Sequence, residues 1–311
     1  MSSLFFLAAA LLWPSQLRVE VRNSEVWLTR DGQEFQLTHD GKSKWQAVLS
    51  PAQDRIAYYE VCPQSEHCTP EVVVLDLEGH RTLAFQPKPT AVPSEEPCGS
   101  IDFIAWANEH AIASTCHVNP SLSEYIETDL PTGKTVRDLL GYDFTVSPDG
   151  KEVAHVGWIR HFAPPYAQSN YLQINRTTIY PLPKGMGPVE QEGLSDPPEV
   201  VRQEGLNYRG IHEFLPGMAW SPDSQRIALV ECVYDWTANH PDSQSAGDGK
   251  YSNRECSLAV VSMQGAATLI PLTELSVGDF QNITISWSNA HELSLRSAKL
   301  TKTVAVPGSC P

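Results

Sequence analysis

The chain carries ten histidines, seven cysteines and 37 acidic residues, and their spacing decides what chemistry they could do. Acyl transfer of the α/β-hydrolase kind needs a serine in G-x-S-x-G, and that motif does not occur. Small zinc sites are marked by C-x-x-C pairs, and none is found. Asp248-Gly249 lacks the further acidic residues that a calcium loop spaces around itself. We therefore expect no metal, no cofactor and no catalytic residue. Carboxylates remain to be weighed. Glycoside hydrolysis needs two or three of them converging on a sugar-sized space, and Asp102, Asp143, Glu213 and Asp279 are the candidates. A formal charge of −15 makes acidic residues common everywhere, so we read these four as solvated or loop-capping.

Recognition is the second chemistry available. Trp158-Ile159-Arg160-His161-Phe162-Ala163-Pro164-Pro165-Tyr166 sets aromatic rings beside an arginine, the composition of interface hot spots. Tyr234-Asp235-Trp236 is a smaller stretch of the same kind. Trp158, Arg160, His161, Phe162, Tyr166, Tyr234 and Trp236 are the candidate partner-binding residues. Each stretch could instead fold over its own scaffold. The 22 basic residues are outnumbered, which argues against nucleic acid and anionic membranes, since both need basic patches. Leu4 to Trp13 is an apolar run followed by Pro14-Ser15-Gln16. It suits the core of a signal peptide and is too short to span a bilayer. Residues 1–16 are thus expected to be a leader, and the mature protein to be periplasmic or secreted. No other stretch approaches membrane length.

These residues need a scaffold, and the scaffold announces itself by repetition. Trp220-Ser221-Pro222-Asp223-Ser224-Gln225-Arg226-Ile227-Ala228-Leu229-Val230 reads as strand, tight turn and strand. Pro presets φ in the turn, and Asp bonds its own backbone two residues on. Val146-Ser147-Pro148-Asp149-Gly150 and Leu49-Ser50-Pro51-Ala52-Gln53 open further copies, and Trp106-Ala107 and Trp287-Ser288 sit in worn ones. Measured at Ser50, Ala107, Ser147, Ser221 and Ser288, the gaps are 57, 40, 74 and 67 residues. The shortest gap is the length of one four-stranded propeller blade, about 40–50 residues. Asp149 and Asp223 then belong to structural turns.

The W-S-P-D-G-x-x-I-A pattern resembles the propeller repeat of TolB-type proteins, and that of the propeller domains of prolyl-oligopeptidase-family peptidases. Leu37-Thr38-His39-Asp40-Gly41 is similar to the L-T-x-x-G lead-in of those blades. The resemblance runs over roughly residues 18–300. It implies a fold and brings no catalytic residues with it. It also implies a role like that of TolB, holding a protein or peptide within an envelope assembly.

The expected fold is all-β, a single β-propeller over residues 17–311 with four-stranded antiparallel blades. Blades are placed at Lys44–Gln86, Ile101–Leu140, Tyr142–Leu182 and Gly217–Leu272. A fifth would join the hairpin around Arg30-Asp31-Gly32 to the pair Ile283–Trp287 and Glu292–Arg296. That union closes the ring and removes the sheet edges. Arg18–Arg22 and Lys302–Val306 are left over, so six blades is the alternative count. Insertions fall at 62–71, 158–170, 183–216 and 232–256. All are second-to-third-strand loops or blade-to-blade links, which open on one face of a propeller. A binding site is expected there. Predicted pairings are Cys62 with Cys68, Cys98 with Cys116 and Cys232 with Cys256, each within one blade and within bonding reach. Such bridges fit an oxidising compartment; Cys310 is left over. The expected function is a non-catalytic, monomeric propeller that binds a protein or peptide through its loop-rich face. The alternative is a carbohydrate-active enzyme using carboxylates in the central funnel.

Overall fold

A computed structural model describes residues 17–61, 70–90, 98, 100–119, 122–157, 169–190, 200–240, 249–273, 283–297 and 301–306. Every helix-or-strand element among them is a strand. β1 (Arg18–Arg22), β2 (Glu25–Arg30) and β3 (Gln33–Gln36) form an antiparallel sheet in that order. Asp31 and Gly32 turn its second hairpin with φ of 52° and 77°. A two-residue turn matching the strand twist needs φ > 0 at both positions, hence Asp-Gly. The second sheet is β4 (Lys44–Leu49), β5 (Arg55–Glu60), β6 (Glu71–Asp76) and β7 (Arg81–Phe85).

Next comes an eight-stranded sheet: β8 (Ile101–Asn108), β9 (Ala111–Asn119), β10 (Leu122–Asp129), β11 (Lys134–Val146), β12 (Val153–Val156), β13 (Leu172–Ile174), β14 (Thr177–Tyr180) and β15 (Val189–Glu190). The long strand β11 serves two halves. Its first part pairs β10 up to Gly141, and from Tyr142 it pairs β12. A five-stranded sheet follows, of β16 (Arg202–Glu204), β17 (Asn207–Trp220), β18 (Arg226–Ala238), β19 (Gly249–Ser262) and β20 (Ala267–Pro271). The last sheet holds β21 (Thr284–Asn289), β22 (Glu292–Arg296) and β23 (Thr301–Ala305).

The core lies between successive sheets. Val26 and Leu28 of β2 pack on Ile56, Tyr58, Val73 and Leu75 of the second sheet. The other face of that sheet presents Ala57, Tyr59, Val72 and Val74 to Ile104, Ile112 and Ile126. The same layering recurs between the two halves of the eight-stranded sheet, then against the five-stranded sheet, then between that sheet and the last. Continuous apolar runs such as Ile227–Val230 follow from this, because such a strand is covered on both faces.

The repeated turn supplies the seams. Ser221 N donates to Arg226 O at 2.8 Å, and Ser221 Oγ donates to Asp223 and accepts from Arg226 N. Ser147 and Ser50 do the same at their turns. In the worn copies the Asn108 and Asn289 side chains accept from His110 N and His291 N instead. One position before three of the five turns, a tryptophan ties neighbouring sheets. Trp106 Nε1 donates to Val48 O at 3.2 Å, Trp220 Nε1 to Thr145 O at 3.0 Å and Trp287 Nε1 to Ala219 O at 3.0 Å. Arg55 and Arg226 lie over the Trp106 and Trp287 rings of the following sheet and donate to Glu109 O and Ala290 O there. Equivalent residues meet at these three seams, so the first strands on either side of each run side by side in one direction. That is the radial arrangement of a propeller.

The structure adds to three expectations. Among the described residues the first and last sheets are not joined into one blade: β1 completes the N-terminal sheet and β23 the C-terminal one. Hydrogen bonding and packing favour this because β1 lays Val19 and Val21 on the second sheet's core, while Val304 of β23 packs in the last. The insertion 183–216 is partly regular, since β15, β16 and the first ten residues of β17 lie in it. The insertion 232–256 is mostly paired strand rather than loop. Cys98–Cys116 and Cys232–Cys256 are bonded as expected, with Cα separations of 5.6 and 4.0 Å. Cys62, Cys68, Cys310 and residues 1–16 lie outside the described residues. No helix among the described residues is long and apolar enough to cross a membrane.

Candidate functional site

Strands β17, β18 and β19 have 14, 13 and 14 residues, well beyond the length of a blade. Their excess pairs into an arm: Asn207 with Thr237, Tyr208 with Trp236, and Trp236 with Tyr251. Inside the arm, Tyr208, Ile211, Tyr234 and Trp236 make a small core of their own with Val201 and Ala238. Tyr208 and Trp236 rings lie 5.6 Å apart, and Tyr234 meets Tyr251 edge-on at 5.1 Å. Asp235 sits at the bulge. Its carboxylate accepts from Asn253 Nδ2, Gly210 N and Arg209. The Asn253 bond, with Gly210 N and the Arg209 charge, holds that carboxyl below its ordinary range. At the root the Cys232–Cys256 bond crosses directly opposite residues.

This placement changes the reading of two predicted residues. Trp236 is fully buried and Tyr234 is 8% exposed. Both hold the arm together; Trp236 cannot present its ring as an exposed anchor, because Gly249 packs flat against it. Tyr251, which the sequence reading passed over, is 51% exposed on the neighbouring strand. From Lys250 to Glu255 every residue of β19 is exposed. β20 covers only Ser257–Val261, so among the described residues no strand pairs the outer edge of Gly249–Glu255. Trp158, Arg160, His161, Phe162 and Tyr166 lie outside the described residues.

The funnel carboxylates have other occupations. Asp143 has φ of 55° at the bulge where β11 changes partner, and accepts from Gly217 N at 3.0 Å. Burial raises its pKa, and the Gly217 bond offsets part of that. Gln46 holds the equivalent position in β4 with φ of 48° and accepts from Ile104 N at 2.8 Å. Asp143 is therefore one of a pair of links between first strands. Glu213 is ion-paired to Arg254 at 2.9 Å across the arm. The Asp102 side chain and Asp279 lie outside the described residues. Among the described residues no three His, Cys, Asp or Glu side chains cluster as metal ligands would.

A second feature lies beside the arm. Glu231 stands in the apolar strand β18 and is 1% exposed. Its two oxygens accept from Tyr180 Oη at 2.6 Å and pair with His212 Nδ1 at 3.1 Å. Burial and the nearby Glu231 charge push the Tyr180 phenol above its ordinary range, so it stays a donor. Tyr180 and His212 form one wall of a cleft of about 570 Å³ that Lys184, Met186, Val200 and Gln264 help to complete. The sequence reading missed this group. Its signal was a lone glutamate at the end of Ile227–Val230, since a carboxylate in a doubly covered strand needs partners.

No known family's sequence profile matches this chain, and no curated protein matches it in sequence. Solved structures resemble it in outline. TolB from Acinetobacter baumannii is 16% identical over 93% of this chain, with a TM-score of 0.37. The β-propeller domain of the Trilobed protease from Pyrococcus furiosus is 10% identical over 94%, covering 81% of that domain, with a TM-score of 0.43. Pyrococcus horikoshii acylaminoacyl peptidase is 10% identical over 93%, with a TM-score of 0.40. This chain spans 64% of the TolB chain and 42% of the peptidase.

Proposed function

We propose that this chain is a non-catalytic, extracytoplasmic binding module that takes a protein partner along its arm. The observation that carries the reading is the open edge of β19. Seven residues, Gly249–Glu255, have no strand paired to one side among the described residues, beside the exposed Tyr251 ring and the basic Lys250. An extended segment of a partner can add there as a further strand, its main chain supplying affinity and its side chains specificity. Antiparallel alternation supports the location: the described strand ends leading to residues 62, 158 and 241 all point the same way as the arm. The two disulfides support an oxidising compartment.

The test is site-specific photo-crosslinking in the organism that makes the protein. A photoreactive residue replaces Tyr251 in one variant and the exposed Glu78, in the turn at the opposite end of a blade, in another. The expected result is a discrete protein adduct from position 251 and none from 78. Equal labelling from both, or none from 251, would overturn the reading.

A further inference from the structure

The cleft beside the arm is built around an imidazole, and its construction specifies a ligand. A lone carboxylate in an apolar strand is costly to bury unless its oxygens receive hydrogen bonds. Tyr180 satisfies one oxygen of Glu231 and His212 Nδ1 the other. Nδ1 therefore carries a proton directed at Glu231, and Nε2 is the ring nitrogen that Glu231 does not engage. Among the described residues His212 Nε2 and Lys184 Nζ have no ion pair. The His212 side chain is 16% exposed, so the ring is mostly buried yet lines the cleft. The ring is also fixed from behind, edge-on to Tyr180 at 6.0 Å.

Charge and lining complete the specification. The chain is strongly acidic, at −15, yet among the described residues no carboxylate lines this cleft; its cations are Lys184 and, as the imidazolium, His212. Met186 and Val200 supply apolar wall, and Met186 is 49% exposed with nothing described above it. A volume near 570 Å³ falls in the range of small-ligand sites, about 300–1,000 Å³. We infer that the cleft binds a carboxylate carrying an apolar group, the carboxylate held by Lys184 and by the Nε2–H of a His212 imidazolium that Glu231 balances, and the apolar group against Met186 and Val200. This goes beyond the arm and does not depend on it. The same chemistry is presented by a free aryl or alkyl acid and by a peptide's C-terminal residue.

Four probes separate the possibilities: phenylacetate, phenylacetamide, a tripeptide ending in phenylalanine with a free carboxylate, and the same tripeptide amidated. Binding is read by the imidazole resonances of His212 in heteronuclear NMR and by calorimetry. The acids are expected to shift His212 and to bind at least about tenfold more tightly than the amides. K184M, a surface change, is expected to weaken the acids about tenfold and leave the amides alone. A tighter tripeptide acid would identify a chain end as the ligand, and a tighter phenylacetate a free acid. Equal binding of acids and amides would overturn the inference. So would silence of the His212 resonances up to about 10 mM of both acids, or K184M binding like the parent.

Discussion

At the scale of single residues, buried polar groups settle the roles. Lys44 has no exposed side-chain surface, yet it meets Glu25 at 3.3 Å, Asp40, and the carbonyls of Ser24 and Lys42. Thr38 of the L-T-x-x-G lead-in donates to Glu25 at 2.5 Å. That motif is thus a clasp around a buried ammonium. Burial alone would raise the Glu25 carboxyl, but bonds from Thr38, Gly41 and Lys44 bring it below the ordinary value. Lys44→Met leaves Glu25 without its cation and should cost about 3 kcal/mol, read by urea unfolding. His155 makes a second prediction. Its buried ring donates from Nε2 to Asn175 O at 2.8 Å, and burial lowers its pKa from 6.5 to about 4. The unfolded state therefore binds the extra proton between those values, and stability falls as pH drops through that window. Relative to pH 7, the loss from this one group should reach about 2 kcal/mol by pH 5. His155→Gln should flatten that slope; an unchanged slope would sink the assignment. The sequence could mark Asp149 and Asp223 as turn residues because their partners are two positions away. Glu231 was illegible because its partners lie 19 and 51 positions away.

At the scale of elements, the seam tryptophans and the arm behave differently. Trp220→Phe keeps one aromatic ring and loses the indole N–H, leaving Thr145 O without its donor. The expected cost is about 1–2 kcal/mol, and Trp287→Phe should match it at the next seam, since both residues occupy the same position of the repeat. Markedly unequal costs in thermal unfolding would deny that equivalence. The arm rests on its own small core and on the bond at its root. With Cys232 and Cys256 both replaced by serine, amides of Gly249–Glu255 should exchange much faster while those of Ile227–Val230 stay protected. Serine-proline turns and apolar runs made the blades readable. The arm was read as loop because Cys232–Cys256 mixes polar and aromatic residues without clean alternation. Bulges explain why: register shifts between Val233 and Asp235, and again between Tyr208 and Ile211, break the period of two.

At the scale of the whole molecule, each core layer joins only neighbouring sheets, and no such layer links the first sheet to the last among the described residues. Leu28→Ala should therefore cost about 2–5 kcal/mol while loosening the first two sheets and sparing β17–β20, a pattern hydrogen exchange would show. Radial order was legible because a copy of the repeat marks each blade from Ser50 onward. Closure was not, because it depends on whether terminal strands pair with each other or with their own hairpins, and alternation in Arg18–Arg22 suits both. β11 has a consequence of another kind. Because one ribbon of backbone serves both halves of the eight-stranded sheet, those halves share a single mechanical fate. Drawn apart by its two ends, the chain would yield sheet by sheet elsewhere but release this pair in one rupture, so the record of extension should hold its longest step there, from the 90 residues of Ile101–Glu190 against 42 for Lys44–Phe85 and 70 for Arg202–Pro271.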